Sequence, residues 1–132
     1  MKILFICKHN KFRSRVAEAI FNELNKNKKI KAESSSTMGS VNKTPKNVIN
    51  ALIKKGYHIK NRVARKVDIK KINHYDLIVI VASNVKTDFF DGFHGKIIKW
   101  YITDCMETDI NGIKERVEKI EKKVKDLVSY YR

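Results

Sequence analysis

Two short apolar runs, Ile3-Leu4-Phe5-Ile6 and Leu77-Ile78-Val79-Ile80-Val81, constrain the fold of this chain more than any other feature. A strand with one face in water alternates apolar and polar residues. These runs do not alternate, and they are too short for buried helices. They therefore read as strands covered on both faces, the usual state of a parallel sheet. Lys31 to Ser35 and Lys96 to Ile102 are weaker strand candidates, the second carrying Ile97, Ile98, Trp100 and Ile102. Helical patterns fall between them. Val16, Ala17, Ile20, Phe21 and Leu24 share one face. Thr44 and Pro45 suit an N-cap and first helical residue, Val48, Ile49, Leu52 and Ile53 form the stripe that follows, and Gly56 stops it. A last stripe runs through Ile113, Val117, Ile120, Val124, Leu127 and Tyr131. It covers fewer than three heptads, so packing on a sheet is favoured over a coiled coil. The order is β-α-β-α, a short strand or helix, then β-α-β-α. It predicts an α/β fold: one three-layer α/β/α domain over residues 1–132 with a four-stranded parallel sheet.

The chain has 132 residues, 42% of them hydrophobic, which is enough for one real core. Its net charge is +15. Charge of that size attracts anions. The lysines are spread along the whole chain, which favours a solvated basic surface over a nucleic-acid footprint. Two cysteines, Cys7 and Cys105, make no disulfide framework and fit a reducing cytoplasm. No apolar stretch approaches the length of a membrane span, so a soluble, membrane-free protein is expected. A monomer is expected as well. His58, His74 and His94 are scattered without metal-ligand spacing, and no metal or cofactor is expected.

The segment Cys7-Lys8-His9-Asn10-Lys11-Phe12-Arg13-Ser14 lies between the first strand and the first helix. In an open parallel sheet, ligands bind beyond the carboxyl ends of the strands, where Cys7 falls. A loop entering a helix can surround a tetrahedral oxyanion with backbone N–H groups, here those of residues 8 to 13. A helix N-terminus and a neighbouring arginine favour thiolate over thiol, and the thiolate is the nucleophile. The planar fork of Arg13 can grip two phosphate oxygens, which a lysine cannot do. Ser14 is positioned to donate its hydroxyl to the Cys7 sulfur, and Asn10 suits a loop position with positive φ or a side-chain tether. An isolated Cys-x5-Arg would mean little. With a strand before it, serine after it and a helix beyond, it points to phosphoryl transfer through cysteine.

The pattern Ile3-Leu4-Phe5-Ile6-Cys7-x-x-Asn10-x-x-Arg13-Ser14-x-x-Ala17-Glu18-Ala19-Ile20 resembles the opening of the low-molecular-weight protein tyrosine phosphatases, a fold shared with thioredoxin-coupled arsenate reductases. Ser34 to Gly39, Tyr75 to Val79 and Trp100 to Asp104 are similar to later segments of that family, so the resemblance covers nearly the whole chain. It implies that Cys7 forms a phosphocysteine intermediate and that Arg13 binds phosphate and stabilises the transition state. It implies that Asp104 protonates the leaving oxygen and then activates water. Asp109 is the second candidate acid, although an N-cap role for the last helix is favoured. The implied ligands are a phosphorylated protein or small phosphomonoester, and inorganic phosphate or a similar oxyanion in the loop.

Several residues depart from the family pattern. His9 stands where glycine is usual and, with Lys8 and Lys11, makes a basic mouth. Phe12 occupies the place of a second loop cysteine. Cys105 replaces the proline after the acid, the tyrosines of the eukaryotic enzymes are missing there, and Met38 to Lys43 lacks an aromatic wall. These departures bear on the leaving group more than on the phosphate. Cys105 raises the idea of a reversible disulfide with Cys7, against the simpler role of a small buried residue. Two other functions compete with a phosphatase. One is an arsenate reductase using an external thiol, because no cysteine lies in Val81-Ala82-Ser83-Asn84 to complete an internal relay. The other is a non-enzymatic polyanion-binding protein.

Overall fold

A computed structural model describes residues 1–132. Strand β1 (Lys2–Cys7) leads to helix α1 (Arg13–Leu24), then β2 (Lys31–Ser36) and α2 (Lys46–Lys54). A 3-10 helix at Ile69–His74 precedes β3 (Leu77–Val81), a second at Thr87–Phe90 precedes β4 (Lys96–Trp100), and α3 (Ile110–Tyr130) ends the chain. The four strands form one parallel sheet in the order β2-β1-β3-β4. The two non-alternating runs are the two central strands, and every residue of both runs is buried.

The pleat sends successive residues to opposite faces. Ile3, Phe5, Leu77, Val79 and Val81 face a core formed with α1, α2 and α3. Phe5 packs its ring 5.9 Å from Phe21 and 6.0 Å from Trp100. Leu4, Ile6, Ile78 and Ile80 face the other side, under Ile72, Val85, Phe90 and Phe93. Three layers are therefore present, but the second outer layer is thin, built from 3-10 helices and loops.

Three sequence expectations change. The helix expected between β3 and β4 is only the 3-10 helix Thr87–Phe90. That stretch has no apolar stripe at helical spacing, and Val85, Phe90 and Phe93 cover the sheet as separate plugs. The helix start at Thr44 and Pro45 moves by one residue. Pro45 has ψ 145°, an extended value, so it stands at the N-cap and Lys46 begins α2. Strand β4 stops at Trp100; Ile102 is still buried, but its carbonyl accepts from Ser83 N beyond the ladder. Gly56 ends α2 at φ 87°, as expected of a glycine stop.

The C-terminal stripe behaves as its spacing predicts. Ile113, Val117, Ile120, Val124 and Leu127 are buried on one face of α3. Asp109 caps that helix, its Oδ1 accepting from Gly112 N at 2.9 Å. A side chain at Gly112 would collide with the capping carboxylate, its Cβ falling 2.3 Å from Oδ2. No helix is long and apolar enough to cross a membrane.

Helix α3 is also tied to the end of α2 through Glu121. Its carboxylate accepts from Tyr57 Oη at 2.5 Å and from Lys55 Nζ at 3.0 Å. Burial pushes this carboxyl up, but the hydrogen bonds from Tyr57 and Lys55, with the Lys55 and Lys125 charges, outweigh it and hold the group below its ordinary value. On the other side of the pair, burial and the Glu121 bond raise the Tyr57 phenol to about 12. A carboxyl lowered in the folded state stabilises above its unfolded value, and the contribution is lost as pH falls through the folded value. Glu121→Gln should lower stability by about 1–2 kcal/mol at neutral pH. In thermal melts the gap from the wild type should close as pH drops below about 4. A gap constant from pH 7 to pH 3 would contradict this.

Candidate active site

The loop after β1 is organised by Asn10, which has φ 58°. Asparagine tolerates the left-handed region better than most residues. Its side chain is fully buried and fully used. Oδ1 accepts from Arg65 N at 3.0 Å and from Arg62 Nη1 at 3.1 Å. Two donors at this atom identify it as the oxygen, so the other atom is the amide nitrogen. That Nδ2 donates to Ser14 Oγ at 2.8 Å and to Ser34 Oγ at 3.0 Å.

Ser14 Oγ, which accepts from Asn10, lies 3.0 Å from the Cys7 Sγ in a hydrogen bond that either atom can donate. Asn10 N donates to Sγ, at 3.2 Å. The backbone N–H of Asn10 and the hydroxyl of Ser14 thus both lie within hydrogen-bond distance of the sulfur. Asn10 at positive φ matches the sequence reading.

Around the sulfur, the N–H groups of Lys8, His9, Lys11, Phe12, Arg13 and Ser14 make no hydrogen bond within the protein. They are the orphan donors of a loop entering a helix, and α1 has no side-chain cap to occupy them. Arg13 is only 2% exposed. Its Nη1 donates to Asn84 Oδ1 at 3.0 Å and to the Ile102 carbonyl at 2.9 Å. These bonds fix the guanidinium plane and leave its Nε–Nη2 edge without a hydrogen bond. That edge is the one that grips two oxygens of a tetrahedral anion.

A cleft of about 130 Å³ opens over this loop. Cys7, Arg13 and Asp104 all line it, so the three sequence-predicted residues come together from the two ends of the chain. Asp104 is half exposed; its Oδ2 lies 3.7 Å from Arg13 Nη2, and its Oδ1 accepts from Cys105 N at 2.9 Å. Arg116 holds this loop onto α3, donating to the Thr103 carbonyl and hydroxyl at 2.9 Å and to the Asp104 carbonyl at 3.2 Å. Asp109 is committed to its cap and does not line the cleft.

The remaining loop residues divide. His9 and Lys11 line the cleft, and His9 Nδ1 sits 3.2 Å from the Gly39 carbonyl, so these two side chains border the site as well as solvent. Lys8 does not line it; its carbonyl accepts from Met38 N at 2.9 Å. Phe12 turns into the core shared with α1 and α3 while also forming part of the cleft wall. No tyrosine or tryptophan lines the cleft. Cys105 lines it too, as a free thiol raised by burial, an effect that Arg116 partly offsets. No group of three or more His, Cys, Asp or Glu side chains is arranged to hold a metal ion.

Sequence reading missed the support behind the loop. Ser34 Oγ, on edge strand β2, donates to Glu18 Oε1 at 2.7 Å. Glu18 pairs with Arg62 at 3.6 Å and with Arg15 Nε at 3.8 Å. Arg15 is 1% exposed and donates to the Lys60 and Arg62 carbonyls. Burial, opposed by Glu18, lowers its guanidinium from the ordinary value. Three consecutive serines in a buried strand were the one signal of it in the sequence, since such hydroxyls need partners.

Residues 2–131 match the family model described as low molecular weight phosphotyrosine protein phosphatase. Among solved structures, an arsenate reductase from Archaeoglobus fulgidus is 30% identical with a TM-score of 0.77, over 96% of this chain and 98% of that one. A low molecular weight protein tyrosine phosphatase from T. tengcongensis is 21% identical with a TM-score of 0.86, over 98% and 99%. An arginine phosphatase from Geobacillus stearothermophilus is 15% identical with a TM-score of 0.85, over 98% and 92%. No curated protein matched the sequence. The match over almost every residue, on a parallel sheet that presents Cys7 and Arg13 in one loop, places this chain in the low molecular weight phosphotyrosine protein phosphatase family.

Proposed function

We propose that this chain is a metal-independent, cysteine-dependent phosphomonoester phosphatase that accepts phosphotyrosine. The observation that carries the reading is the Cys7 sulfur, accepting from Asn10 N and hydrogen-bonded to Ser14 Oγ, inside a ring of unused N–H groups. The phosphoryl oxygens bind those N–H groups and the Nε–Nη2 edge of Arg13, which stabilise the charge that spreads over them during transfer. Cys7 attacks phosphorus, and Asp104 gives its proton to the leaving oxygen. The resulting phosphocysteine is hydrolysed by water that Asp104, now a carboxylate, deprotonates. The charge stabilisation comes from Arg13 and the backbone, so no step calls for a metal. The activity then belongs to one domain over residues 1–132 in the cytoplasm, where both cysteines stay reduced.

A second reading is favoured by the 30% identity to an arsenate reductase together with two free cysteines on one cleft. Arsenate has the shape and charge of phosphate and would occupy the same loop, with an external thiol completing the reduction. Thiol consumption that depends on arsenate and exceeds phosphatase turnover would favour this reading.

Hydrolysis of an aryl phosphate should persist in excess chelator and disappear in Cys7→Ser; wild-type protein as inactive as that variant overturns the phosphatase reading. Asp104→Asn should reduce kcat by about 10²–10⁴-fold, the usual contribution of a general acid. The loss should be smaller for substrates whose leaving group needs no proton. Equal losses across leaving groups would remove Asp104 from that role. Arg13→Lys keeps the charge and loses the fork. It should cost at least about tenfold in kcat/KM, the loss of one charge-assisted hydrogen bond.

A further inference from the structure

We propose that Arg62 is a positioning residue, which orients the Asn10 amide and through it directs the Ser14 hydroxyl at the Cys7 sulfur. The inference rests on the reading of Cys7 as nucleophile and extends it to a residue in the irregular segment between α2 and β3.

Arg62 makes more contacts with the support of the loop than any surface role requires. Nη1 donates to Asn10 Oδ1 at 3.1 Å, and Nη2 donates to Ser34 Oγ at 3.2 Å and the Ser34 carbonyl at 3.3 Å. Glu18 balances its charge at 3.6 Å. Its side chain is 22% exposed, and burial, with the like charges of Arg15 and Arg65, brings its guanidinium down to about 10. The fork thus spans Asn10 and its partner Ser34. An amide turned over would aim Nδ2 at the guanidinium and at Arg65 N, donor against donor. Arg62 and Arg65 N together forbid that orientation. With Oδ1 held, Nδ2 faces Ser14 and occupies one lone pair of its oxygen; in this proposal the hydroxyl proton then turns to the sulfur 3.0 Å away. The segment itself is anchored independently: Ser36 Oγ donates to the Arg65 carbonyl at 2.5 Å, and Val67 N donates to the Ser36 carbonyl at 2.8 Å.

The test is a double-mutant cycle read on Cys7 directly. The rate of iodoacetamide alkylation of the Cys7 peptide is followed by mass spectrometry at neutral pH, in wild type, Arg62→Met and Arg62→Lys, each with Ser14 and with Ser14→Ala. Arg62→Met should slow alkylation about tenfold, the equivalent of one hydrogen bond on the sulfur. Arg62→Lys keeps one donor for Asn10 and should recover part of the rate. In the Ser14→Ala background the Arg62→Met effect should fall below about twofold, because the two residues act along one path. On an aryl phosphate, kcat should fall with KM little changed, since Arg13 and the backbone donors are untouched. An equal slowing in both backgrounds, or unchanged alkylation, would overturn the assignment. If Arg62→Met fails to fold, Arg62→Lys takes its place in the cycle, and its smaller slowing should likewise vanish without the Ser14 hydroxyl. Alkylation that follows the cycle while no form hydrolyses phosphate would sink the phosphatase reading and leave the Arg62 assignment standing.

Discussion

The side chain of Asn10 is the joint on which the site depends. One buried amide connects the loop after β1 to the start of α1 through Ser14, to strand β2 through Ser34, and to the segment before β3 through Arg62 and Arg65. Glycine would accept the backbone conformation and lose all four bonds. Aspartate would keep the acceptor and lose both donors. The position demands a residue that tolerates positive φ, accepts on one atom and donates on the other, all within a site where an unpaired polar group is costly.

The polar support sits at one end of an otherwise apolar scaffold. β1 and β3 are sealed on both faces, so their ends cannot shift without opening two cores at once. This gives Cys7, the last residue of β1, a rigid base. Beside it the interior turns polar: Ser34, Ser36, Arg13 and Arg15 are all buried. Such a network is stable only when nearly complete. It is nearly so here, with Arg15 Nε left to an ion pair instead of a hydrogen bond. The chain's excess of positive charge suits an anionic ligand, and Lys11 carries that excess to the rim of the cleft.

Much of the fold was legible because its signals are local. The continuous runs of β1 and β3 could be little else, and the α3 stripe repeats often enough to leave one face buried. Less was legible where local signal is weak. Val85, Phe90 and Phe93 form no helical stripe in the sequence, yet they cover the sheet from a 3-10 helix and its flanking loops. β2 is half serine, and its strand character comes from pairing with β1 and from the hydroxyls it lends to the site.

The same division holds for the site. By itself the sequence picked out the loop, with Cys7 as candidate nucleophile and Arg13 as candidate phosphate ligand, since these lie within eight residues joined to a strand and a helix of recognisable pattern. Asp104 was marked by the family resemblance of Trp100 to Asp104. Only the tertiary structure decided that Arg62, Arg65, Ser34, Glu18 and Asn84 stand behind the loop, whereas the Asp109 cap was already favoured in the sequence. The physical reason is range. Backbone geometry is set by neighbours a few residues apart, whereas a buried hydrogen-bond partner can come from any segment that the sheet brings near. Asn10 and Arg62 are 52 residues apart, and only the folded chain makes them neighbours.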